Sequence, residues 1–250
     1  MTADATPGAP AKTLSADPAR LPSQNASESR MNAGPAPSSA GIASLRALPA
    51  KAITAVKVAV FFIALIPFAR LAWQSVFNVE ALGANPIEHL TRATGWWTLF
   101  FLAVTLAITP ARKLFNLPWL LKLRRMLGLF TFFYVALHFT TYIWWDKWFD
   151  LAEIIKDVIK RPFITVGFAA FVLLIPLAAT SFNAAIRFMG GKRWQLLHRA
   201  VYVIAVLGVL HFWWHKAGKN DLFEPLMFAL VFAVLLGWRL KQRLLPAAAR

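Results

Sequence analysis

Six stretches of this chain, residues 56–77, 94–109, 126–145, 164–182, 197–214 and 222–240, are apolar for close to the length needed to cross a bilayer. A spanning helix needs roughly 20 such residues, so the shorter runs must draw on their flanks. In lipid every backbone N–H and C=O has to be satisfied within the protein, which leaves helices or closed barrels. Runs of this length suit helices. The expected fold is an all-α membrane protein, a six-helix transmembrane bundle. Pro67 and Pro176 fall inside spans and should kink them. Composition agrees, since 58% of residues are hydrophobic where a soluble domain has roughly 45–50%.

The net charge of +16 would suggest nucleic acid in a soluble protein. Here its placement says otherwise. Arg46, Lys51 and Lys57 precede the first span. Arg112, Lys113, Lys122, Arg124 and Arg125 separate the second from the third. Arg187, Lys192, Arg193 and Arg199 lie around the fourth-to-fifth connection, and Arg239, Lys241 and Arg243 close the sixth span. The alternate connections are balanced: WDKWFDLAEIIKDVIKRP has four basic and four acidic residues. This alternation follows the positive-inside rule and puts both termini in the cytoplasm. The charge reports topology and a lipid bilayer, with no nucleic acid partner.

Residues 1–50 are rich in Ala, Pro and Ser and contain no apolar segment of the kind that starts a secretory signal. They read as a disordered cytoplasmic tail, because they cannot bury enough apolar surface to offset ordering. Residues 51–245 form the membrane domain. Only about ten residues follow the sixth span, and no Gly-rich phosphate loop occurs; a built-in nucleotide-dependent reductase is not expected. The chain has no cysteine, which excludes disulfides, iron–sulfur clusters and thioether-attached haem. A redox cofactor would be held by histidine or non-covalently.

Ionisable residues inside spans are costly and point to function. Of five histidines, His89 falls in a connection and reads as a surface residue. His198 and His211 are thirteen residues apart in the fifth span, about 20 Å along a helix. His138 follows Arg125 by the same thirteen residues in the third span. Both spans run in one direction, so His138 and His211 should lie at matching depth, as a clamp for a haem iron. Thirteen residues also leave His198 and His211 about 140° apart around an ideal helix. Either that helix is distorted or two cofactors flank it. His215, one turn beyond His211, reads as an interfacial residue in an aromatic belt with Trp213 and Trp214. A zinc site there lacks a third ligand.

The segments TGWWTLFFLAVTLAITPARK, RRMLGLFTFFYVALHFTTYIWWD, KRPFITVGFAAFVLLIPLAATS and KRWQLLHRAVYVIAVLGVLHFWW resemble the MsrQ (YedZ) family, within the ferric-reductase-like transmembrane group. The resemblance runs over about residues 55–240. It implies b-type haem, one or two per chain, with His138, His198 and His211 as axial ligands to the haem iron. Where the wider group has a fourth histidine this chain has Arg124 or Arg125, which become possible inner haem contacts. The resemblance further implies a bacterial inner-membrane subunit that takes electrons from quinol. It would pass them to a periplasmic molybdenum-containing reductase, MsrP-like, that repairs methionine sulfoxide, and would not itself reduce the sulfoxide. FMN is implied by the resemblance alone; the glycine–basic segment MGGKRW reads either as a phosphate contact or as a turn capping the fourth span. Arg70 either snorkels outward or meets the outer haem's propionates. Two rival readings are a direct transmembrane ferric or cupric reductase and a proton-coupled transporter with an intramembrane histidine relay.

Overall fold

The structure, a computed structural model, describes residues 48–218 and 220–244. All but the last three residues of the expected tail, and residue 245 at the far end of the expected domain, lie outside them. Helices α1 (Ala50–Phe77), α2 (Pro86–Phe115), α3 (Leu121–Thr140), α4 (Leu151–Lys160), α5 (Pro162–Ala179), α6 (Asn183–Met189), α7 (Gly191–His198), α8 (Ala200–Ala217) and α9 (Phe223–Leu244) follow in order. There is no strand among the described residues. Six segments are long and apolar enough to cross a membrane: α1, α2, α3 with its flanking turns, α5, α7 with α8, and α9. Each contains or nearly contains one expected run, extended at its ends by polar residues. The amphipathic α4 was not expected; its sequence had read only as a charge-balanced connection.

Local chemistry sets the ends. Asn85 caps α2 by accepting the Glu88 N–H (3.1 Å), with Pro86 in the first turn. Arg112 and Lys113 occupy the last turn, and Asn116 ends the helix in the left-handed conformation at φ 54°. Helix α2 is the centre of the bundle: 44% of its apolar window is buried, against 11–28% for the other spans. One face packs Leu99, Leu102 and Leu106 against α5, α8 and α9. The other packs Phe101 and Ile108 against α1 and α3. The remaining apolar surface faces outward, as lipid contact requires.

Proline 67 opens the α1 ladder, as a proline inside a span must. The gap is filled from α3. The Tyr134 hydroxyl accepts the Phe68 N–H (3.2 Å) and donates to the Ala64 carbonyl (2.7 Å). Tyr134 is fully buried, and its ring stacks on Phe101 at 5.2 Å and 10°. Replacing Tyr134 by Phe removes the buried hydroxyl that bridges the Phe68 N–H and the Ala64 carbonyl and should cost about 1 kcal/mol. The check is thermal unfolding of the purified protein in detergent, where Tyr134→Phe should lower Tm; an unchanged Tm would show that the hydroxyl is not needed.

Candidate functional site

Two cavities contain the span histidines. In the first, the rings of His138 (α3) and His211 (α8) stand 6.1 Å apart, centre to centre, at 80°. Each is held the same way. His138 Nδ1 bonds the Thr91 carbonyl at 2.8 Å, and His211 Nδ1 bonds the Phe163 carbonyl at 2.7 Å. A carbonyl only accepts, so each Nδ1 carries the proton and each Nε2 keeps a lone pair. Thr141 steadies the first pair: its hydroxyl donates to the His138 carbonyl (2.8 Å) and accepts from the Thr91 hydroxyl (2.9 Å). It opens a π-helical turn, Thr141–Asp146, a feature common at functional sites.

A glycine lies four residues beyond each accepting carbonyl. A Cβ on Gly95 would meet the His138 ring at 3.1 Å, and one on Gly167 would meet His211 Nδ1 at 2.6 Å. The geometry explains the spacing. In a helix the N–H of residue i+4 points at the carbonyl of residue i, so a ring reaching that carbonyl from outside lies over residue i+4. Any side chain there would push it away. The cavity has a volume of about 580 Å³ and is walled largely by aliphatic and aromatic groups, with Arg92 and Arg161 also lining it. His215 lines it too, its ring 5.8 Å from Phe163. One turn beyond His211, it shares that residue's face and so reaches the cavity, a role that its reading as a residue of an aromatic belt did not include. Among the described residues no cluster of three or more His, Cys, Asp or Glu could hold a metal ion.

The second cavity, about 490 Å³, holds His198 together with Arg124, Arg125, Arg199 and Arg243. His198 Nδ1 bonds the Trp194 carbonyl at 3.0 Å, and its ring stacks on the Trp194 indole at 3.9 Å. His198 Nε2 is buried without a hydrogen-bond partner. Arg125 donates to Asn183 Oδ1 at 2.6 Å. Leu102, Thr131 and Leu174 line both cavities and so stand between them. The angular offset between His198 and His211 turns the two rings toward different cavities, and the helix is interrupted at Arg199.

Comparison with known proteins places this arrangement. The pattern described as the ferric reductase like transmembrane component matches residues 94–209, the stretch that carries His138 and His198. The heme-binding subunit MsrQ of protein-methionine-sulfoxide reductase from Herminiimonas arsenicoxydans is 61% identical over 184 residues, 74% of this chain and 84% of that protein. The MsrQ of Ralstonia nicotianae is 57% identical over 192 residues, covering 77% and 88%. That of Rhodospirillum rubrum is 50% identical over 195 residues, covering 78% and 89%. The chain belongs to the MsrQ family. No solved structure matches it. As an MsrQ-family chain with six apolar spans, it is a multi-pass protein of the bacterial inner membrane.

The remaining residues singled out from the MsrQ-like sequence lie elsewhere. His89 is exposed, but in the first turn of α2 and not in a loop. Arg70 is exposed on α1 and lines neither histidine cavity. In MGGKRW, Gly190 at φ 75° joins α6 to α7, so the turn ends the short α6 and not the fourth span. Sequence reading missed Thr91, Phe163, Gly95 and Gly167. The carbonyls carry no side-chain signal, whereas an isolated glycine within an apolar helix is a visible one.

A charged clip closes one side of the paired-histidine cavity. Asp157 of α4 is buried; it pairs with Lys147 at 2.7 Å and Arg161 at 3.4 Å, and accepts from the Tyr142 hydroxyl at 3.4 Å. Burial alone would raise its carboxyl pKa. The Lys147 hydrogen bond and the Arg161 and Lys147 charges win, and hold it below the usual carboxylate range. A depressed folded pKa contributes stability above the unfolded value, about 3.9 for Asp. That contribution is lost as pH falls through the lower, folded value. The clip should therefore hold at pH 5 to 7 and loosen below about pH 4. Amide exchange in α4, expressed as protection relative to the intrinsic rate at each pH, tests this: Asp157→Asn should show at pH 7 the reduced protection that the parent reaches only in acid.

Proposed function

We propose that this protein is a b-type haem electron-transfer subunit carrying electrons from the quinone pool to a periplasmic, molybdenum-containing MsrP-like reductase. That partner would repair methionine sulfoxide in envelope proteins. The paired-histidine end of the bundle would face the periplasm, as the distribution of basic residues suggests. The curated MsrQ relatives are named as heme-binding subunits of a methionine sulfoxide reductase, and that description is carried to this chain here.

One observation carries the reading. His138, His198 and His211 each give their Nδ1 proton to a backbone carbonyl, which leaves Nε2 as a lone pair for a metal. The paired site also fits by distance. Two metal–nitrogen bonds of about 2 Å, with about 1 Å from each nitrogen to its ring centre, separate the rings by about 6 Å. The observed separation is 6.1 Å. His138 and His211 would together hold one haem, and His198 would hold a second. Arg124 and Arg125 would offer charge-assisted hydrogen bonds to the carboxylates of that second haem. When bound, haem supplies reversible one-electron chemistry, and bis-histidine ligation favours electron transfer over oxygen chemistry. The protein's part is to fix the imidazole tautomers, hold the rings at depth and exclude water.

Absorption and electron paramagnetic resonance spectra of purified variants test the assignment. His138→Ala and His211→Ala should each remove one and the same low-spin signal, and the double variant should look no worse than either, because the two residues act as one unit. Gly167→Ala should weaken that signal by displacing His211. His198→Ala should spare it and remove only a second haem. Loss of the bis-histidine signal in His198→Ala, with His138→Ala intact, would reverse the assignment.

The donor is tested separately. With no Gly-rich phosphate loop in the sequence, the purified protein should be reduced by a quinol analogue and not by NADPH alone. Rapid reduction by NADPH without a helper flavoprotein would count against a quinol donor.

A further inference from the structure

We infer that α4 is an interfacial helix, its outward apolar stripe seated in the phospholipid at the paired-histidine end of the bundle, so that the bilayer holds one wall of that cavity in place. The inference rests on the membrane location of the chain and not on the cofactor reading.

The surface of α4 divides into three sectors. At 100° per residue, and taking Leu151 as origin, Ile155 and Ile159 lie at about 40° and 80°. These three residues are 71%, 59% and 75% exposed, although all are large and apolar. Asp157, Ile154 and Val158 fall at about 240°, 300° and 340° and turn toward the protein. Asp157 is in its buried clip, and Val158 lines the paired-histidine cavity. Lys156, Lys160 and Glu153 occupy about 140° to 200°, with Lys156 and Glu153 paired to each other at 2.8 Å. The exposed apolar sector and the charged sector are therefore centred about 130° apart, and the protein takes up the third sector. A helix lying flat at a membrane surface has this arrangement, with lipid below and water above.

The occupant of the stripe is fixed by continuity. Helix α4 is tied to spans at both ends, by the π-helical turn ending at Asp146 and by Pro162 at the start of α5. It cannot leave the bilayer edge. Exposed Trp144, Trp148 and Phe149 precede it, the aromatic types that settle at headgroup level. Trp148 and Phe149 hold consecutive left-handed conformations, φ 49° and 59°, which are strained for aromatic residues. Asp150 then caps α4 through the Glu153 N–H (3.0 Å). On α5 the apolar exposure continues through Phe168, Val172 and Ile175, so the stripe extends a lipid-facing surface. Because Val158 and Arg161 both line the cavity, seating α4 also seats that wall.

The absence of cysteine makes the test direct. Single cysteines replace Leu151, Ile155 or Ile159, Glu153 or Lys156, and Val158, in the full chain carrying its cofactor and reconstituted in phosphatidylcholine nanodiscs. A small fluorophore on each is quenched by iodide from water and by nitroxide-bearing acyl chains from lipid. At positions 151, 155 and 159, acyl-chain quenching should exceed that at 153 and 156 by at least about threefold, with iodide in the reverse order. Position 158 should be shielded from both. Variants are compared only where the visible spectrum matches the parent. Iodide access at 155 and 159 equal to that at 156 would overturn the inference. So would shielding of 155 and 159 from both quenchers, which would mean that protein covers the stripe.

Discussion

The bond on which the site depends is the one from a histidine Nδ1–H to a backbone carbonyl. Inside a membrane, carbonyls are committed to their own helices, but each has a second lone pair. Thr91 and Phe163 use theirs for His138 and His211. The bond does three things together. It fixes the tautomer, it orients the ring, and it ties α3 to α2 and α8 to α5. The helix pairs that carry His138 and His211 are therefore also pairs that build the bundle.

That bond requires glycine on the helix that accepts it. Glycine inside a helix costs roughly 0.8–1.0 kcal/mol relative to alanine, and Gly95 and Gly167 both sit inside apolar spans. The cost is offset by what the missing side chain permits, since a Cβ at either position would stand 3.1 Å or less from an imidazole atom. Tyr134 answers the opposite problem in α1. There proline removes a backbone donor, and a side chain from α3 enters the gap. In both cases a local weakness in one helix is where a neighbouring helix attaches.

This division explains what could be read from the sequence. The six spans were legible because hydropathy over about 20 residues is nearly sufficient to define a membrane helix. The equal thirteen-residue offsets brought His138 and His211 to one depth, because rise per residue is a fixed property of a helix. The surroundings of a ring were less legible: His215 was read on the face of His211 but as part of an aromatic belt, and the cavity that face lines is formed by other helices. Helix α4 was missed because its charges balance, which conceals the spacing of Leu151, Ile154, Ile155, Val158 and Ile159. The accepting carbonyls had no signal at all. Their glycines did, and an isolated glycine facing a span histidine is the pattern to look for.

A histidine in a helical bundle is commonly a structural one that bonds a neighbouring helix through one nitrogen. The energetics at His198 argue against that role alone. Its Nδ1 hydrogen bond runs to Trp194, one turn earlier in its own helix, so that bond ties no second helix to it. Its other nitrogen is buried without a partner, a deficit of about 1–3 kcal/mol. A leucine of similar size would pack there without that cost. The ring also lies among four arginines that line the same cavity. A neutral ring with its lone pair unused in a positively lined cavity is poor as structural support. It is well suited to an iron whose macrocycle carries carboxylates.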